Sequence, residues 1–327
     1  MTEPEKPSGT VVRRLIPGLV LGLVVLVVLG ILGDLRGVSE QVLVFRWSLF
    51  PLVISLTLFN YTLRFFKWHF YLRQIGVQDI SILESARLFV ASFPLSVTPG
   101  KVGEALKGVW INQKGDVPVA RGVAVVVAER ISDGLAVTLL STLGVIAYPR
   151  YWPAFASVLA LLLGIVAISQ IKPLVMGLLD FGEGLTLVNR YIHHLREFYR
   201  GSFLLFRPTA TLFAVTLGTI SWLGEGIGFY VILRGLGIRP GWDVLSIAVF
   251  VLSFSTVIGA VSTLPGGLGA AEASIAGMLV LLLRLPTESA AAATLLIRFA
   301  TLWFGVGLGL LVWSFSADLL GLRRSKT

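Results

Sequence analysis

Long apolar runs that recur along the whole chain limit what it can fold into. Six of them are each long enough to cross a hydrocarbon core of about 30 Å as a helix. They lie at about 16–33, 48–66, 122–148, 154–171, 209–233 and 289–315. Only 14% of the 327 residues are charged, too few to cover a water-soluble fold of this size. We therefore predict an all-α polytopic membrane protein with about six full spans.

Two further apolar stretches, 83–113 and 243–284, are interrupted near their middles by Pro-Gly. Proline ends a helix, and glycine permits a tight turn and a close backbone approach. We predict that each stretch forms a re-entrant hairpin, and that the two breaks act as thin gates. The gate residues are Pro99, Gly100 and Gly103 in the first hairpin, and Pro265, Gly266, Gly267 and Gly269 in the second.

The two halves of the chain resemble each other in order. Three short patterns recur: Leu-Arg-x-x-Gly, a Pro-Gly break followed by glycine and glutamate, and a proline followed twelve residues later by arginine. They begin at Leu72, Pro99 and Pro118 in the first half, and at Leu233, Pro265 and Pro286 in the second. An old duplication explains this order, although coincidence in a chain rich in leucine, glycine and alanine stays open.

One additional span, 154–171, separates the halves and would reverse the orientation of the second. We therefore predict an inverted-topology repeat within a single membrane domain, a plan in which the binding site lies near the midplane. The predicted segments are an N-terminal tail, first span and loop (1–47), repeat unit one (48–148), a linking span with an interfacial helix (149–208), repeat unit two (209–315) and a basic cytoplasmic tail (316–327).

Residues 185–206 alternate between apolar and polar positions at helical spacing, which predicts an amphipathic helix lying on the cytoplasmic leaflet. Its polar face carries Asn189, Arg190, His193, Arg196, Glu197 and Arg200. A plain membrane-surface linker and a lipid-recognition role are both open for this helix, because its arginines would lie near lipid phosphates in either case.

The distribution of basic residues predicts the orientation of the chain. Lys and Arg number 27 against 18 Asp and Glu, a formal net charge of +9. A cytoplasmic N-terminus places 19 basic residues on the cytoplasmic side, Arg64, Lys67 and Lys107 among them, and 6 on the far side. The positive-inside rule then predicts a multi-pass protein of the cell membrane (plasma or inner) with both termini in the cytoplasm.

Composition also restricts the chemistry. With no cysteine and only 3 histidines, we expect no disulfide, no metal site and no cofactor. No phosphate-binding loop of the GxxxxGK[ST] type occurs, so direct driving by ATP is not expected. No nucleic-acid-binding motif is present, and nucleic acid is not an expected partner.

Charged residues within the predicted spans are the candidate site residues, because an isolated charge in lipid costs a few kcal/mol. Glu129, Arg130 and Asp133 lie in the third span, Glu225 in the fifth and Arg298 in the sixth. We expect Arg130 and Arg298 to bind an anionic headgroup, since a guanidinium suits phosphate oxygens. The three carboxylates would hold these arginines in place or carry a coupling proton. Mutual neutralisation within the helix bundle is the structural alternative.

Glu104 and Glu272 follow the two Pro-Gly breaks, where the next helix is expected to begin. Backbone N–H groups freed at a helix start bind anions, so these glutamates would compete with or complement a bound headgroup. Capping of the helix and coordination of substrate are equally open for both residues.

Three segments carry a family resemblance: FVASFPLSVTPGKVGEALKGVWI, VVVAERISDGLAV and STLPGGLGAAEASIAGML. They resemble the lysylphosphatidylglycerol synthase transmembrane-region family of flippase-like membrane proteins, over roughly Leu15 to Phe315. In bacterial multiple peptide resistance factors such a domain is joined to a cytosolic domain that aminoacylates lipid. The family motif falls on Pro99, Gly100, Gly103, Glu104, Glu129, Arg130, Asp133, Pro265, Gly266, Gly269, Glu272 and Arg298.

Because the sequence ends twelve residues after Phe315, we expect a stand-alone member without the synthase domain, and no aminoacyl transfer. The resemblance implies a lipid translocase, not an enzyme, that moves an anionic phospholipid or a polyprenyl-phosphate-linked lipid between leaflets through a central charged cavity. A lipid-synthesis enzyme is a possible partner. Two alternatives stay open: a non-transporting scaffold of a lipid-modifying pathway, and a membrane-embedded glycosyl or phosphoryl transferase.

Overall fold

The computed structural model describes residues 34–98, 103–147 and 152–316, together with Val20, Val24 and Leu319. Every regular element in these residues is helical, and no strand occurs among them. The described α-helices are α1 (Leu35–Val44), α2 (Phe50–Gln74), α3 (Ile82–Ala91), α4 (Leu106–Gly115), α5 (Val119–Ala147), α6 (Trp152–Gln170), α7 (Lys172–Glu183), α8 (Thr186–Asn189), α9 (Ile192–Leu205), α10 (Pro208–Gly235), α11 (Trp242–Val261), α12 (Ala270–Leu283), α13 (Thr287–Arg298) and α14 (Phe304–Ser314). The predicted first span, 16–33, and the predicted tail, 316–327, lie almost entirely outside the described residues.

Several helical segments are long and apolar enough to cross a membrane. Five pass on length and composition: Trp47–Gln74, Pro208–Gly235, Trp242–Val261, Pro265–Leu283 and Thr287–Ser314. A sixth is counted if Phe155–Gln170 and Lys172–Glu183, which meet at an angle of 81°, form one broken span. The chain is therefore an all-helical membrane protein with five or six candidate spans among its described residues.

The predicted spans and the observed helices agree in position, with differences in length. The predicted spans 48–66 and 209–233 fall within candidate spans, and the predicted span 289–315 matches the candidate span Thr287–Ser314 except at its last residue. The helix at the first of these, α2, continues to Gln74, two turns beyond the predicted end. The predicted span 122–148 is helical throughout its described part, because α5 covers 29 residues and ends at Ala147.

The second Pro-Gly stretch folds as two helices joined by a sharp turn. The chain leaves α11, makes a 3₁₀ turn over Pro265–Gly267 and enters α12. Gly266, Gly267 and Gly269 have φ angles of 61°, 67° and 85°, a backbone conformation that favours glycine. Each limb of this stretch is long enough to cross a membrane by itself, so its re-entrant path stays a prediction.

The first Pro-Gly stretch is built from shorter pieces. The helices α3 and α4 have 10 residues each and rise about 15 Å, half of a hydrocarbon core. Pro99 and Gly100 lie outside the described residues, but the ends of the break are described. The Gly103 N–H donates to Thr98 Oγ1 at 2.9 Å, and a Cβ on Gly103 would lie 2.6 Å from Thr98 Cγ2. Glycine is therefore required at position 103, whereas the re-entrant path stays a prediction here too.

The described helices form two compact units. The first consists of Met1–Phe59, Arg87–Glu104 and Gly224–Thr327, and the second of Asn60–Ala86 and Ala105–Leu223. Each predicted repeat unit contributes residues to both compact units, so the compact units do not coincide with the two halves of the sequence. The inverted repeat stays a prediction.

In the first unit, the segment before the first Pro-Gly break packs on α14. A Cβ added to Gly309 would lie 2.2 Å from Pro94 Cδ, so the helix backbone and the proline ring are in direct contact. Trp313 Nε1 donates to the Ala91 carbonyl at 2.7 Å, and Arg87 Nε donates to Ser316 Oγ at 2.8 Å. These contacts hold the segment before the first Pro-Gly break against α14, the last of the described helices.

In the second unit, α9 packs on α5, and one residue of its predicted polar face, Glu197, lies in this contact. Gly201 allows this approach, because a Cβ there would lie 2.9 Å from Ala124 Cβ. Glu197 is buried and forms ion pairs with Arg121 of α5 and with Arg200. The predicted polar face was therefore wrong at Glu197, since hydrophobic periodicity alone does not reveal a buried ion pair on a neighbouring helix.

The region before α9 also differs from the prediction. Residues 172–183, for which no element was predicted, form the helix α7, and the predicted single helix over 185–206 is divided into α8 and α9. Arg196 of α9 forms ion pairs with Asp180 and Glu183 of α7, at 2.8 and 2.6 Å. This ion pairing joins the two helices at an exposed surface.

The Glu197 ion pairs predict a dependence of stability on pH. Burial raises the pKa of the Glu197 carboxyl, but hydrogen bonds and charges from Arg121 and Arg200 lower it by more, so the pKa lies below its ordinary value. A lowered pKa stabilises the fold above the unfolded value of about 4.3, and that contribution disappears as the pH falls below it. We expect Glu197→Gln to lower the Tm in detergent at pH 7 and to flatten the fall of the Tm between pH 6 and pH 3. Exposed Glu40→Gln is the control, and an equal slope for both variants would contradict the prediction.

Two glycines let α4 and α5 approach closely. A Cβ on Gly122 would lie 2.8 Å from Gly108 Cα and 3.0 Å from its carbonyl oxygen. We expect Gly122→Ala to lower the stability by roughly 1–3 kcal/mol, because the backbone itself must move. Gly164→Ala on α6, where nothing lies within 4 Å, should leave the Tm unchanged or raise it, since alanine favours helix. Thermal unfolding in detergent compares the two, and equal Tm values would refute the close approach.

Candidate functional site

The sequence-predicted site residues fall into two groups by compact unit. Glu104, Glu225, Glu272 and Arg298 belong to the first unit, and Glu129, Arg130 and Asp133 to the second. Glu104, Glu129, Asp133, Glu225 and Glu272 are all buried. Each group is described separately below.

Arg298 and Glu272 form an ion pair that holds the second Pro-Gly turn. Arg298 Nε donates to Glu272 Oε1 at 2.5 Å, and Arg298 Nη2 donates to the Gly266 carbonyl at 3.0 Å. The other carboxylate oxygen, Glu272 Oε2, accepts the Gly269 N–H at 2.7 Å, which caps the start of α12. Both Glu272 oxygens are thus in use, one for the helix cap and one for the arginine. We call this group the hairpin latch.

Local backbone geometry places the members of the latch. The positive φ angle of Gly266 turns its carbonyl away from any helical partner, and the arginine supplies the missing donor. Arg298 is the last residue of α13, directly before a π-helical turn over Phe299–Trp303. Such turns interrupt the regular helix and often occur at functional sites. The side chains of Arg298 and Glu272 are 14% and 2% exposed, so the pair is shielded from solvent.

The second unit contains a cluster of buried ion pairs around Asp133. Lys67 Nζ lies 2.5 Å from Asp133 Oδ1, and Arg64 Nη2 lies 3.5 Å from Asp133 Oδ2. Lys67 Nζ also donates to Ser132 Oγ at 3.2 Å. The indole N–H of Trp222 donates to Asp133 Oδ1 at 3.3 Å, and the Arg64 guanidinium lies over the Trp222 ring at 5.6 Å.

Helix packing places Trp222 of α10 beside Asp133. Gly218, one turn earlier on α10, lies so close to α5 that a Cβ there would be 3.0 Å from Ala136 Cβ and 3.8 Å from Asp133 Oδ1. A larger residue at position 218 would push α10 away from α5 and separate the indole N–H from the carboxylate. The small residue is therefore a requirement of the cluster.

Glu129, one turn before Asp133, has its own partner. Lys107 Nζ of α4 lies 3.0 Å from Glu129 Oε2, and the same ammonium lies over the Trp68 ring at 5.0 Å. The close approach of α4 to α5 at Gly108 and Gly122 brings this lysine within reach. Arg130 lies on α5 between the two carboxylates.

Sequence reasoning missed three cations of this cluster that form ion pairs with its carboxylates. Arg64, Lys67 and Lys107 were counted with the cytoplasmic loops, but they lie within helices, and Lys67 and Lys107 are buried. They do not belong in a count of loop charges. Glu129, Asp133 and Glu225 were expected to hold Arg130 and Arg298. Glu129 pairs with Lys107, Asp133 pairs with Lys67 and Arg64, and Arg298 pairs with Glu272.

Basic side chains are concentrated around these two carboxylates. Four cations, Arg64, Lys67, Lys107 and Arg130, accompany Glu129 and Asp133. We call these six residues the basic cluster. Removal of charges from water is costly unless opposite charges compensate it, and Glu129 and Asp133 each lie beside a cation. No group of three or more His, Cys, Asp or Glu side chains suited to a metal ion occurs within the described residues.

Comparison with known proteins identifies the family. Residues 19–309 match the family described as the lysylphosphatidylglycerol synthase TM region. The chain belongs to this family. The resemblance found in the sequence motifs is confirmed, and the match includes both the hairpin latch and the basic cluster.

The chain is also similar to a curated protein from Methanothermobacter thermautotrophicus that is described as a UPF0104 membrane protein. The two are 30% identical over 111 residues, which is 34% of this chain and 31% of the relative. The aligned part thus spans about a third of that protein. No solved structure matches the chain.

The hairpin latch predicts a strong dependence of stability on charge balance. Arg298→Met leaves the Glu272 carboxylate buried without its cation, which costs roughly 3–5 kcal/mol. We expect the double variant Arg298→Met with Glu272→Gln to recover most of this loss, because glutamine still caps α12 and neither charge remains. Unfolding in detergent measures both variants.

The exposed Arg196 ion pairs provide the control for this comparison. Arg196→Gln should leave the Tm nearly unchanged, because exposed ion pairs contribute little to stability. Equal losses for Arg298→Met and for the double variant would show that the charge of Glu272 is not what the arginine compensates.

Proposed function

We propose that the chain is a lipid translocase, a flippase, that moves a lipid with an anionic headgroup between the two leaflets. The observation that carries this proposal is the basic cluster, in which four cations and two carboxylates lie on helices of a membrane protein. Charged side chains at membrane depth are costly and commonly mark the path of a substrate. A lipid phosphate that enters the cluster can accept hydrogen bonds from its cations, while the acyl chains remain in the bilayer.

The cluster supplies the two kinds of contact that a phosphate requires. The Arg64 guanidinium has a planar fork of donors that matches phosphate oxygens, and its side chain is 14% exposed, so it can be reached. Lys67 and Lys107 provide buried positive charges, each already oriented by a carboxylate. Trp222 and Trp68 lie against Arg64 and Lys107 and restrict their positions. Such preorganisation lowers the entropic cost of binding.

The hairpin latch fits the role of a gate in the first unit. Any movement of the Pro-Gly turn at Gly266 relative to α13 must break the hydrogen bond from Arg298, and rotation of α12 must break the cap at Glu272. A lipid phosphate offers Arg298 the same acceptors as Glu272 and the Gly266 carbonyl. The proposal therefore assigns Arg298 a substrate contact during opening, with Glu272 as the competing anion.

The proposal extends to the setting of the protein. We place it in the cell membrane with both termini in the cytoplasm and assign it no chemical step. Its substrate is an anionic phospholipid or a polyprenyl-phosphate-linked lipid, delivered by a lipid-synthesis enzyme. The membrane role in lipid metabolism is supported by the family, whose name refers to the membrane region of a lipid synthase.

A non-transporting scaffold is the second candidate, and a specific observation favours it. Glu129, Asp133 and Glu272 each have a cation within 3.0 Å, so these ion pairs could serve helix packing alone. The two functions differ in their response to the loss of Arg64, whose guanidinium is the more loosely held partner of Asp133 at 3.5 Å. A scaffold would tolerate this loss as long as the protein folds.

Lipid movement in proteoliposomes tests the proposal. The protein is reconstituted with NBD-labelled phosphatidylglycerol, and dithionite quenching reports the arrival of the label in the outer leaflet. We expect Arg64→Gln to slow transfer by roughly 10- to 100-fold, because a charge-assisted hydrogen bond contributes about 1.5–3 kcal/mol. The Tm in detergent should change little, since Lys67 still pairs with Asp133.

Two controls accompany this assay. Arg196→Gln removes an exposed cation of the same unit and should transfer lipid at the wild-type rate. The double variant Lys67→Met with Asp133→Leu replaces a buried ion pair by apolar side chains, which is often neutral for folding, and should transfer lipid slowly. If both cluster variants fold and transfer lipid as fast as the wild type, the scaffold function is supported and the translocase proposal is overturned.

A further inference from the structure

The helix α7 turns sharply away from α6, within the second compact unit. The two helices meet at an angle of 81°, and the backbone of Ile171 between them is not helical. The helix α6 has 19 residues, none of them charged, and rises about 28 Å. This rise matches a hydrocarbon core of about 30 Å, so α6 is long enough to cross the core without any residue of α7.

The bend therefore falls where the chain leaves the hydrocarbon core. Lys172 is the first residue of α7, and its ammonium avoids hydrocarbon, which is consistent with a position at the polar interface. A helix that meets α6 at 81° at this level runs nearly parallel to the membrane plane.

One side of α7 is an exposed apolar surface. Leu174, Leu178 and Phe181 are 45%, 61% and 73% exposed. Their spacings of four and three residues place them on one face of the helix, and we call these three residues the α7 stripe. Ile168 and Ile171 are also exposed and precede Leu174 at spacings of six and three residues. The stripe thus continues the apolar surface of the end of α6.

The acidic residues of α7 lie away from the stripe. Asp180 and Glu183 each follow a stripe residue by two positions, which places them on the other side of the helix. Both form ion pairs with Arg196 of α9, and their side chains are 60% and 46% exposed. Two carboxylates with one arginine keep a negative charge, which is costly in hydrocarbon. The helix therefore has one side suited to lipid and one side suited to water.

We infer that α7 is an interfacial helix that docks on the boundary between headgroups and acyl chains through the α7 stripe, in the leaflet where α6 ends. The predicted interfacial helix over 185–206 contains α9, which packs on α5 instead. Since the stripe carries no charge, burial of apolar surface holds α7 at the membrane, and the charge of the headgroups does not. The inference is independent of the proposed translocase function.

Spin labels at single cysteines test this inference, because the chain contains no cysteine of its own. The protein is reconstituted in phosphatidylcholine vesicles, and power saturation compares collisions of the label with oxygen and with a water-soluble nickel chelate. Labels at Leu178→Cys and Phe181→Cys should lie about 5–10 Å below the lipid phosphates. A label at Leu161→Cys, an exposed position halfway along α6, should lie about 15 Å below them.

Glu183→Cys is the matched control on α7. It should collide mainly with the nickel chelate, because position 183 lies on the side suited to water, and Arg196 keeps its ion pair with Asp180. Addition of phosphatidylglycerol to the vesicles should leave all of these depths unchanged. Depths at Leu178 and Phe181 that arise only with phosphatidylglycerol would show that charge holds the helix, and would overturn the inference.

A charge within the stripe provides a second test. Phe181→Glu should move a label at Leu174→Cys toward the water, whereas Glu183→Gln should leave its depth unchanged. Both variants should keep the wild-type Tm in detergent, because both positions are exposed. An unchanged depth in Phe181→Glu would show that the stripe does not hold the helix.

The other possible occupants of the stripe give distinct results, and each would overturn the inference. Labels at Leu178 and Phe181 that behave like the label at Glu183 would place the stripe in water. Labels as deep as Leu161 would make α7 part of a broken span. Labels that neither oxygen nor the nickel chelate reaches, with spin–spin broadening between copies, would show that a second copy of the chain covers the stripe. The translocase proposal stands in all of these cases.

Discussion

The ion pair between Lys67 and Asp133 is the interaction on which the second unit depends. Neither charge could lie within these helices alone, because removal of one unpaired charge from water costs several kcal/mol. The pair joins α2 to α5, and the Trp222 indole joins α10 to the same carboxylate. Glycines at helix crossings provide the close approach that these short contacts require. The buried ion pairs therefore require close packing of the helices, and the packed helices require that these buried charges be paired.

The same constraint organises the second Pro-Gly turn in the first unit. A glycine-rich turn leaves backbone groups without helical partners, and such groups are costly when they are shielded from water. Glu272 accepts the Gly269 N–H, Arg298 donates to the Gly266 carbonyl, and the two side chains neutralise each other. The ion pair thus provides hydrogen-bond partners for the irregular backbone of the turn, and its opposite charges offset the cost of their own burial.

Sequence patterns predicted the broad architecture where a single property of the residues, such as hydropathy, determines it. Apolar runs located the candidate spans, since the thickness of the hydrocarbon core sets their length. Pro-Gly located the turn at Pro265–Gly267, and the motifs located the family. Prediction failed where burial depends on a neighbouring helix. Helical spacing places Glu197 on the polar face of its helix, yet this residue is buried against α5. The helix α7 was not predicted.

The sequence by itself determined that this chain is a helical membrane protein of its family, because hydropathy and local backbone preferences are properties of neighbouring residues. It also singled out Glu129, Asp133, Glu272 and Arg298 as charges that need partners. Only the tertiary structure decided which partners they have. Glu129 pairs with Lys107, Asp133 pairs with Lys67 and Arg64, and Glu272 pairs with Arg298. Ion pairs join residues that are 22 to 69 positions apart in the chain, and no local pattern encodes such distances. The arrangement of helices therefore determined the site.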